Sequence, residues 1–182
     1  MFLDKNKTSP YFIYQYFMNT SDEDISRFMK MLTLIDTQEI DEIVAKHLET
    51  PENRAGQKLL AFKVVEIVHG THEAKLAEQI TQFMFTSQDK VAELSKLNSD
   101  DLETYKNAMG GLDYVDQNLF EIIVQSGLEK SNSNARNAVS SGAILINGNK
   151  ITDSKYDFSA DFLENGALLL QKGKKNLRII KK

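Results

Sequence analysis

The last fifteen residues, LLLQKGKKNLRIIKK, carry six basic side chains and no acid: Lys172, Lys174, Lys175, Arg178, Lys181 and Lys182. Cations at this density suit an anionic partner, and a phosphate backbone above all. The same lysines would also serve as a solvated edge that resists strand-on-strand aggregation. Upstream, SNSNARNAVSSG (131–142) is a polar segment with one arginine, Arg136. A guanidinium holds phosphate oxygens in pairs, and a polar helix of small side chains lets a backbone come close.

Other residue sets invite chemistry and lose it on inspection. Glu66, His69 and His72 have the i, i+3, i+6 spacing of a metal site, but Gly70 breaks the helix between the histidines. Asp100 and Asp101 read as helix N-terminal charges rather than as an acid–base pair. Tyr11, Phe12, Tyr14, Tyr16 and Phe17 offer rings for base stacking, yet their helical spacing favours core or a domain contact. No serine, histidine and acid are spaced to suggest a hydrolase. No catalytic residue and no metal ligand is therefore assigned.

The elements that must carry these residues fall into two styles. Over the first hundred or so residues, helix starts recur: Ser9-Pro10, Ser21 with Asp24, Asp36 or Thr37, Thr50-Pro51, Thr71 and Ser99. Thr50-Pro51 is expected to open the longest helix, which Gly70 stops. NAMGGLDYVDQ, with its paired glycines, reads as a linker at 110–115. Beyond it, NLFEIIVQSG and SNSNARNAVSSG predict two helices closed by Gly127 and Gly142. AILING and KIT flank the tight-turn dipeptide Asn147-Gly148, and GALLLQKG with KNLRIIKK predicts a hairpin about Gly173. The expected fold class is α+β. A helical domain over 1–109 leads through the linker to a small α–α–β domain over 116–182.

Composition bounds the rest. At 182 residues, 41% of them hydrophobic, the chain is long enough for one large core or two small ones. Zero cysteines exclude disulfides and thiol chemistry and fit a reducing cytoplasm. No apolar run reaches the ~20 residues of a membrane span, and no signal-peptide pattern opens the chain. Charge is uneven. Residues 1–112 hold 12 basic against 18 acidic side chains, and residues 113–182 hold 10 against 8. The negative charge lies in the helical part and the positive excess in the tail.

Two resemblances sharpen this reading. Arg136, Gly142, and the strand ending in Asn147-Gly148 stand in an order similar to the small RNA-binding domain first known from a ribosomal small-subunit protein. The segment FLDKNKTSPYFIYQYFMNTSDEDISRFMKMLTLI resembles bacterial tyrosyl-tRNA synthetases just after their ATP-binding lysine loop. Thr8-Ser9-Pro10-Tyr11, Tyr14-Gln15-Tyr16, Asn19-Thr20 and Arg27-Phe28 stand at matching places. NRAGQKLLAFKVVEIVHG resembles the family's next long helix, including its Val-His-Gly ending.

This resemblance implies an anticodon-side helical domain followed by a tRNA-binding tail domain. It also implies a division of labour with a catalytic domain that would precede Met1, because neither the family's His-x-Gly-His-like signature nor its lysine loop occurs in this sequence. The chain itself is then expected to be non-catalytic and largely monomeric. ATP and magnesium would belong to the catalytic domain, and the whole enzyme would be a homodimer. The expected partners are that domain and a tyrosine tRNA with a long variable arm, with no membrane. By the same resemblance Arg136, Lys172, Lys174, Lys175 and Arg178 face RNA, with Ser133 and Asn134 beside Arg136 on the polar helix. Ser133 stands where the family has a further arginine. The alternative is a free-standing RNA-binding adaptor of the ribosome-associated type.

Overall fold

The computed structural model describes residues 2–5, 7–173 and 176–182. By packing, the chain forms two compact units, Met1–Gln82 and Phe83–Lys182.

The first unit is helical. It contains α1 (Pro10–Met18), α2 (Asp22–Leu32), α3 (Thr37–Glu49), α4 (Ala55–His69) and most of α5 (Thr71–Phe85). Ser9 starts α1 as its sequence requires: its Oγ accepts from Phe12 N at 3.2 Å, and Pro10 takes the first turn, where a missing N–H costs nothing. The aromatic run divides by helical geometry. Tyr14 and Phe17 are buried with Ile13 in the core shared with Leu60, Ala61 and Val65 of α4, while Phe12 and Tyr16 stay exposed.

Two helix starts differ from the expectation. Ser21 does not cap α2 by accepting a backbone N–H; its hydroxyl instead donates to Asp24 Oδ2 at 2.8 Å. Thr50-Pro51 opens only a single 3-10 turn over Pro51–Asn53. Arg54 then adopts a left-handed φ of 53°, and α4 begins after it. That break turns the Arg54 guanidinium back to donate to Met18 O at the end of α1.

Behind the break sits a polar lock. The buried His47 of α3 has Nε2 2.9 Å from Asp22 Oδ1, and Gly56 N–H faces His47 Nδ1 at 3.5 Å. Gln57 Nε2 donates to the same carboxylate oxygen at 2.6 Å. Gly56 has to be small, since a Cβ there would meet Ile25 Cδ1 at 3.0 Å and the His47 ring at 3.1 Å. Three helices are thus pinned at one point.

The second unit is built on a mixed sheet of order β1-β5-β4-β2-β3: Leu112–Asp113, Asn176–Lys181, Ala167–Lys172, Ile144–Ile146 and Asn149–Ile151. Asn147 and Gly148, with φ of 46° and 81°, make the tight turn between β2 and β3. Asn147 also accepts from Leu169 N through Oδ1 at 2.9 Å, which fixes this turn against β4. In the β4–β5 ladder Leu168 pairs with Ile180, and Leu170 with Arg178. Leu168, Leu170 and Ile180 bury against α8 (Leu119–Gln125) and α9 (Asn132–Ser140). Their neighbours Ala167, Leu169, Leu177 and Ile179 point the other way and are equally buried.

What covers that second face is α6 (Lys90–Ser95) on β4 and α7 (Ser99–Ala108) on β5. The packing therefore groups residues 83–109 with the sheet, whereas the sequence placed them in the helical domain. The expected linker at 110–115 is likewise drawn in. Leu112 and Asp113 pair in parallel with Ile180 and Lys181, and Gly111 N–H donates to Lys106 O at 2.8 Å. Paired glycines that read as flexibility are instead demanded by a close approach: a Cβ on Gly111 would collide with Ile179 O. The start of α7 shifts by one residue as well, because Asn98, not Ser99, caps it by accepting from Asp100 N and Asp101 N.

Candidate nucleic-acid interface

The polar helix α9 is amphipathic in a plain way. Ala135, Ala138 and Val139 are buried against the sheet, and Ser133, Asn134, Arg136 and Asn137 are exposed. Ser131 caps it, accepting from Asn134 N at 3.2 Å. Small residues on the buried side let α9 lie close to β-sheet and α8, and small polar residues on the outer side leave its surface low. Three of the residues singled out in the sequence, Ser133, Asn134 and Arg136, are thereby brought together on one exposed turn. The Arg136 guanidinium carbon lies 5.4 Å from the centroid of the Phe120 ring on α8. Stacking there holds the planar cation at the surface without neutralising it.

The basic tail behaves differently. Lys172 forms an ion pair with Glu129 at 2.7 Å. Arg178 turns inward, its Nε donating to Ser126 O at 2.8 Å and its NH1 to Leu177 O at 2.8 Å. It thereby satisfies a carbonyl at the C-terminal end of α8, which the helix itself leaves without a partner. Lys181 Nζ lies 3.2 Å from Glu103 Oε2 of α7. Lys182 Nζ sits 4.3 Å from the Phe162 ring centroid and donates to Ser159 O at 3.3 Å. Each basic side chain described in the tail thus has a partner within its own unit. Lys174 and Lys175 lie outside the described residues.

An ion network built on the buried Lys106 adjoins this tail. Lys106 Nζ meets Glu103 Oε1 at 2.8 Å and Asp113 Oδ1 at 2.5 Å, and its side chain is 5% exposed. Burial alone would lower the Lys106 ammonium, but the hydrogen bonds it donates to Asp113 and Glu103 outweigh that and hold it above the usual lysine range. The network closes the seam between α7, β1 and β5.

Glu66, His69 and His72 do not converge. Glu66 is held by Lys63 Nζ at 2.8 Å and Thr71 Oγ1 at 3.1 Å, and among the described residues no group of three His, Asp or Glu is placed to hold a metal ion. Among those residues, too, no helix is long and apolar enough to cross a membrane.

Residues 1–86 match the family described as tRNA synthetases class I (W and Y), and residues 100–180 match the tyrosine–tRNA ligase SYY-like C-terminal domain. The chain belongs to the tyrosyl-tRNA synthetases. The tyrosine–tRNA ligase of Staphylococcus carnosus is 36% identical to it over 184 residues, covering 100% of this chain and 43% of that protein. The ligase of Streptococcus agalactiae is also 36% identical, over 99% of this chain and 43% of its own length. A C-terminally truncated mitochondrial tyrosyl-tRNA synthetase of Aspergillus nidulans aligns with 46% of this chain and 24% of its own, at 35% identity and a TM-score of 0.44.

The chain therefore spans less than half the length of these synthetases and corresponds to their C-terminal part. Matches to synthetase families over both residues 1–86 and 100–180 disfavour the ribosome-associated adaptor. Sequence reasoning missed the partners of the cations. Glu129, Glu103, Ser126 and Phe120 lie far from them along the chain, so no local spacing announces them.

Proposed function

We propose that this chain is the tRNA-binding part of a tyrosine–tRNA ligase, and that a catalytic domain outside these residues performs the ATP-dependent activation. The observation that carries the proposal is the exposed α9 turn bearing Ser133, Asn134 and Arg136, within the region that matches the family's C-terminal domain. A flat polar helix surface with a stacked guanidinium accepts a phosphate backbone closely and holds it by charge-assisted hydrogen bonds. Lys174 and Lys175, which fall between β4 and β5 in the sequence, add to the cations available to RNA in this reading, and Lys172 joins them when released from Glu129. Arg178 supports the surface by fixing the end of α8.

The RNA in this reading is a tyrosine tRNA, gripped at its long variable arm. ATP and magnesium are bound by the catalytic domain, and the setting is the cytoplasm. The exposed Phe12 and Tyr16 of α1 face that domain, through which the whole enzyme dimerises, so this chain alone is monomeric. The test compares tRNAs: the purified chain binds tyrosine tRNA more tightly than a tRNA with a short variable arm. It gives no tyrosine-dependent pyrophosphate exchange by itself. Equal affinity for the two tRNAs would count against the variable arm, and measurable exchange would count against the division of labour.

A further inference from the structure

Beside α9 the second unit holds a cleft of about 460 Å³ whose wall includes Tyr114, Phe120, Arg136, Lys155, Tyr156 and Phe158. Its size falls within the range of small-ligand sites. Phe158 is 5% exposed and forms an apolar floor, with Tyr114 edge-on to it at a centroid separation of 5.8 Å. Phe120 forms a side wall and carries Arg136 over its ring. Tyr156 is half-buried, and Lys155 is exposed at the rim.

Rings and a stacked guanidinium recognise a flat π system, and two cations at the rim recognise the negative charge that comes with it. An unstacked nucleotide has both features, since every base offers a π face and every flanking linkage a phosphate. One acid lines the cleft, Asp157, whose carboxylate accepts from Ser159 N at 2.9 Å and is held below the usual carboxylate range first by that backbone bond. An ionised acceptor beside the rings repels a phosphate but accepts from an exocyclic base amine. It therefore favours a base entering edge-first, with its phosphates kept at the Arg136 and Lys155 side.

We propose that this cleft seats one extruded nucleobase of the bound RNA, stacked among Phe120, Tyr156 and the Arg136 plane, with the flanking phosphates on Arg136 and Lys155. The proposal rests on the RNA-binding reading and adds to it a subsite for an unpaired base. A helix surface that holds only phosphates does not distinguish a continuous duplex from one with a bulged nucleotide; this cleft does.

The test uses the full chain and two RNA hairpins with the same stem, one fully paired and one carrying a single bulged 2-aminopurine. Binding is read by anisotropy and the state of the base by its fluorescence. The bulged hairpin is expected to bind about fivefold or more tighter, the lower end of one aromatic stack, with quenching of the 2-aminopurine on binding. In Phe120→Leu, and separately in Tyr156→Leu on the loop, the ratio between the two hairpins falls towards one. Equal binding of both hairpins by the unmodified chain, or a ratio untouched by both substitutions in folded protein, would overturn the base subsite while leaving phosphate-driven RNA binding standing. Failure to bind either hairpin or tRNA would remove the RNA-binding reading and the subsite with it.

Discussion

Asn165, in the loop before β4, donates from Nδ2 to Leu94 O at 2.8 Å and to Leu97 O at 3.2 Å, joining the sheet to the end of α6 across some seventy residues of chain. The sheet has two apolar faces, and α6 and α7 close the one that α8 and α9 leave open. A piece beginning at residue 116 would bare Leu169, Leu177 and Ile179 to water. We expect a piece beginning near residue 83 to unfold cooperatively in urea. A piece beginning at 116 should be aggregated or lack a cooperative transition. Protease should cut 110–115 in the full chain no faster than the helix ends, and preferential cutting there would mean that β1 is not held.

Arg178 is expected to act on stability before it acts on RNA. Removing its guanidinium leaves Ser126 O buried without a donor, a loss of about 1–3 kcal/mol. Arg178→Ala should therefore lower the urea midpoint. At temperatures where the variant is folded, the salt dependence of its tRNA binding should match that of the unmodified chain. A flattened salt slope with unchanged stability would place Arg178 on the RNA instead.

In the proposed mode of tRNA binding, Glu129 works against it by holding Lys172. Its side chain is 13% exposed against 36% for Lys172, so the pair is half-buried and geometrically close at 2.7 Å. Half-exposed pairs add little to stability, about 0–1 kcal/mol. Glu129→Gln should accordingly leave the fold nearly unchanged while freeing one cation and steepening the salt dependence of tRNA binding. Its measurement is a salt titration beside Lys172→Gln, which should show no steepening.

The Asp22 lock gives a pH signature in the first unit. Hydrogen bonds from His47 and then Gln57 hold its carboxyl below the usual carboxylate range. A folded-state value below the unfolded one means the carboxylate contributes stability at and above the unfolded value. That contribution is lost as pH falls through the lower, folded value. The difference in urea midpoint between Asp22→Asn and the unmodified chain should thus be full near neutrality and vanish under strongly acid conditions. A difference independent of pH would show that shape, and not charge, makes the lock.

Much of this molecule is legible in its sequence, for local reasons. Ser9-Pro10, Gly70, Gly127, Gly142 and Asn147-Gly148 act within a few residues of themselves, and each marks the boundary it was expected to mark. The family resemblance put Ser133 and Asn134 beside Arg136 on a polar helix, and all three are exposed on α9. What escaped is long-range. Gly110-Gly111 looks the same whether it bends freely or presses on Ile179, and only the fold decides. A lysine-rich tail looks uniformly available, but Lys172, Arg178, Lys181 and Lys182 each find a partner distant in sequence, a carboxylate or an accepting backbone carbonyl. Pro51 signalled a helix start correctly in kind, but Arg54's left-handed turn postponed it to Ala55.

The central claim, proposed above, is that α9 and the lysines between β4 and β5 in the sequence grip tRNA through phosphates, and a salt titration tests it most directly. Log affinity of tyrosine tRNA against log salt concentration is measured for the unmodified chain, Arg136→Ala and Lys174→Gln/Lys175→Gln, with circular dichroism confirming the fold. Each lost phosphate contact flattens such a slope by roughly 0.7 to 0.9, the range for single- and double-stranded DNA. Arg136→Ala should flatten it by about one unit and the double variant by between about one and two. Three parallel lines from three folded proteins would contradict the account.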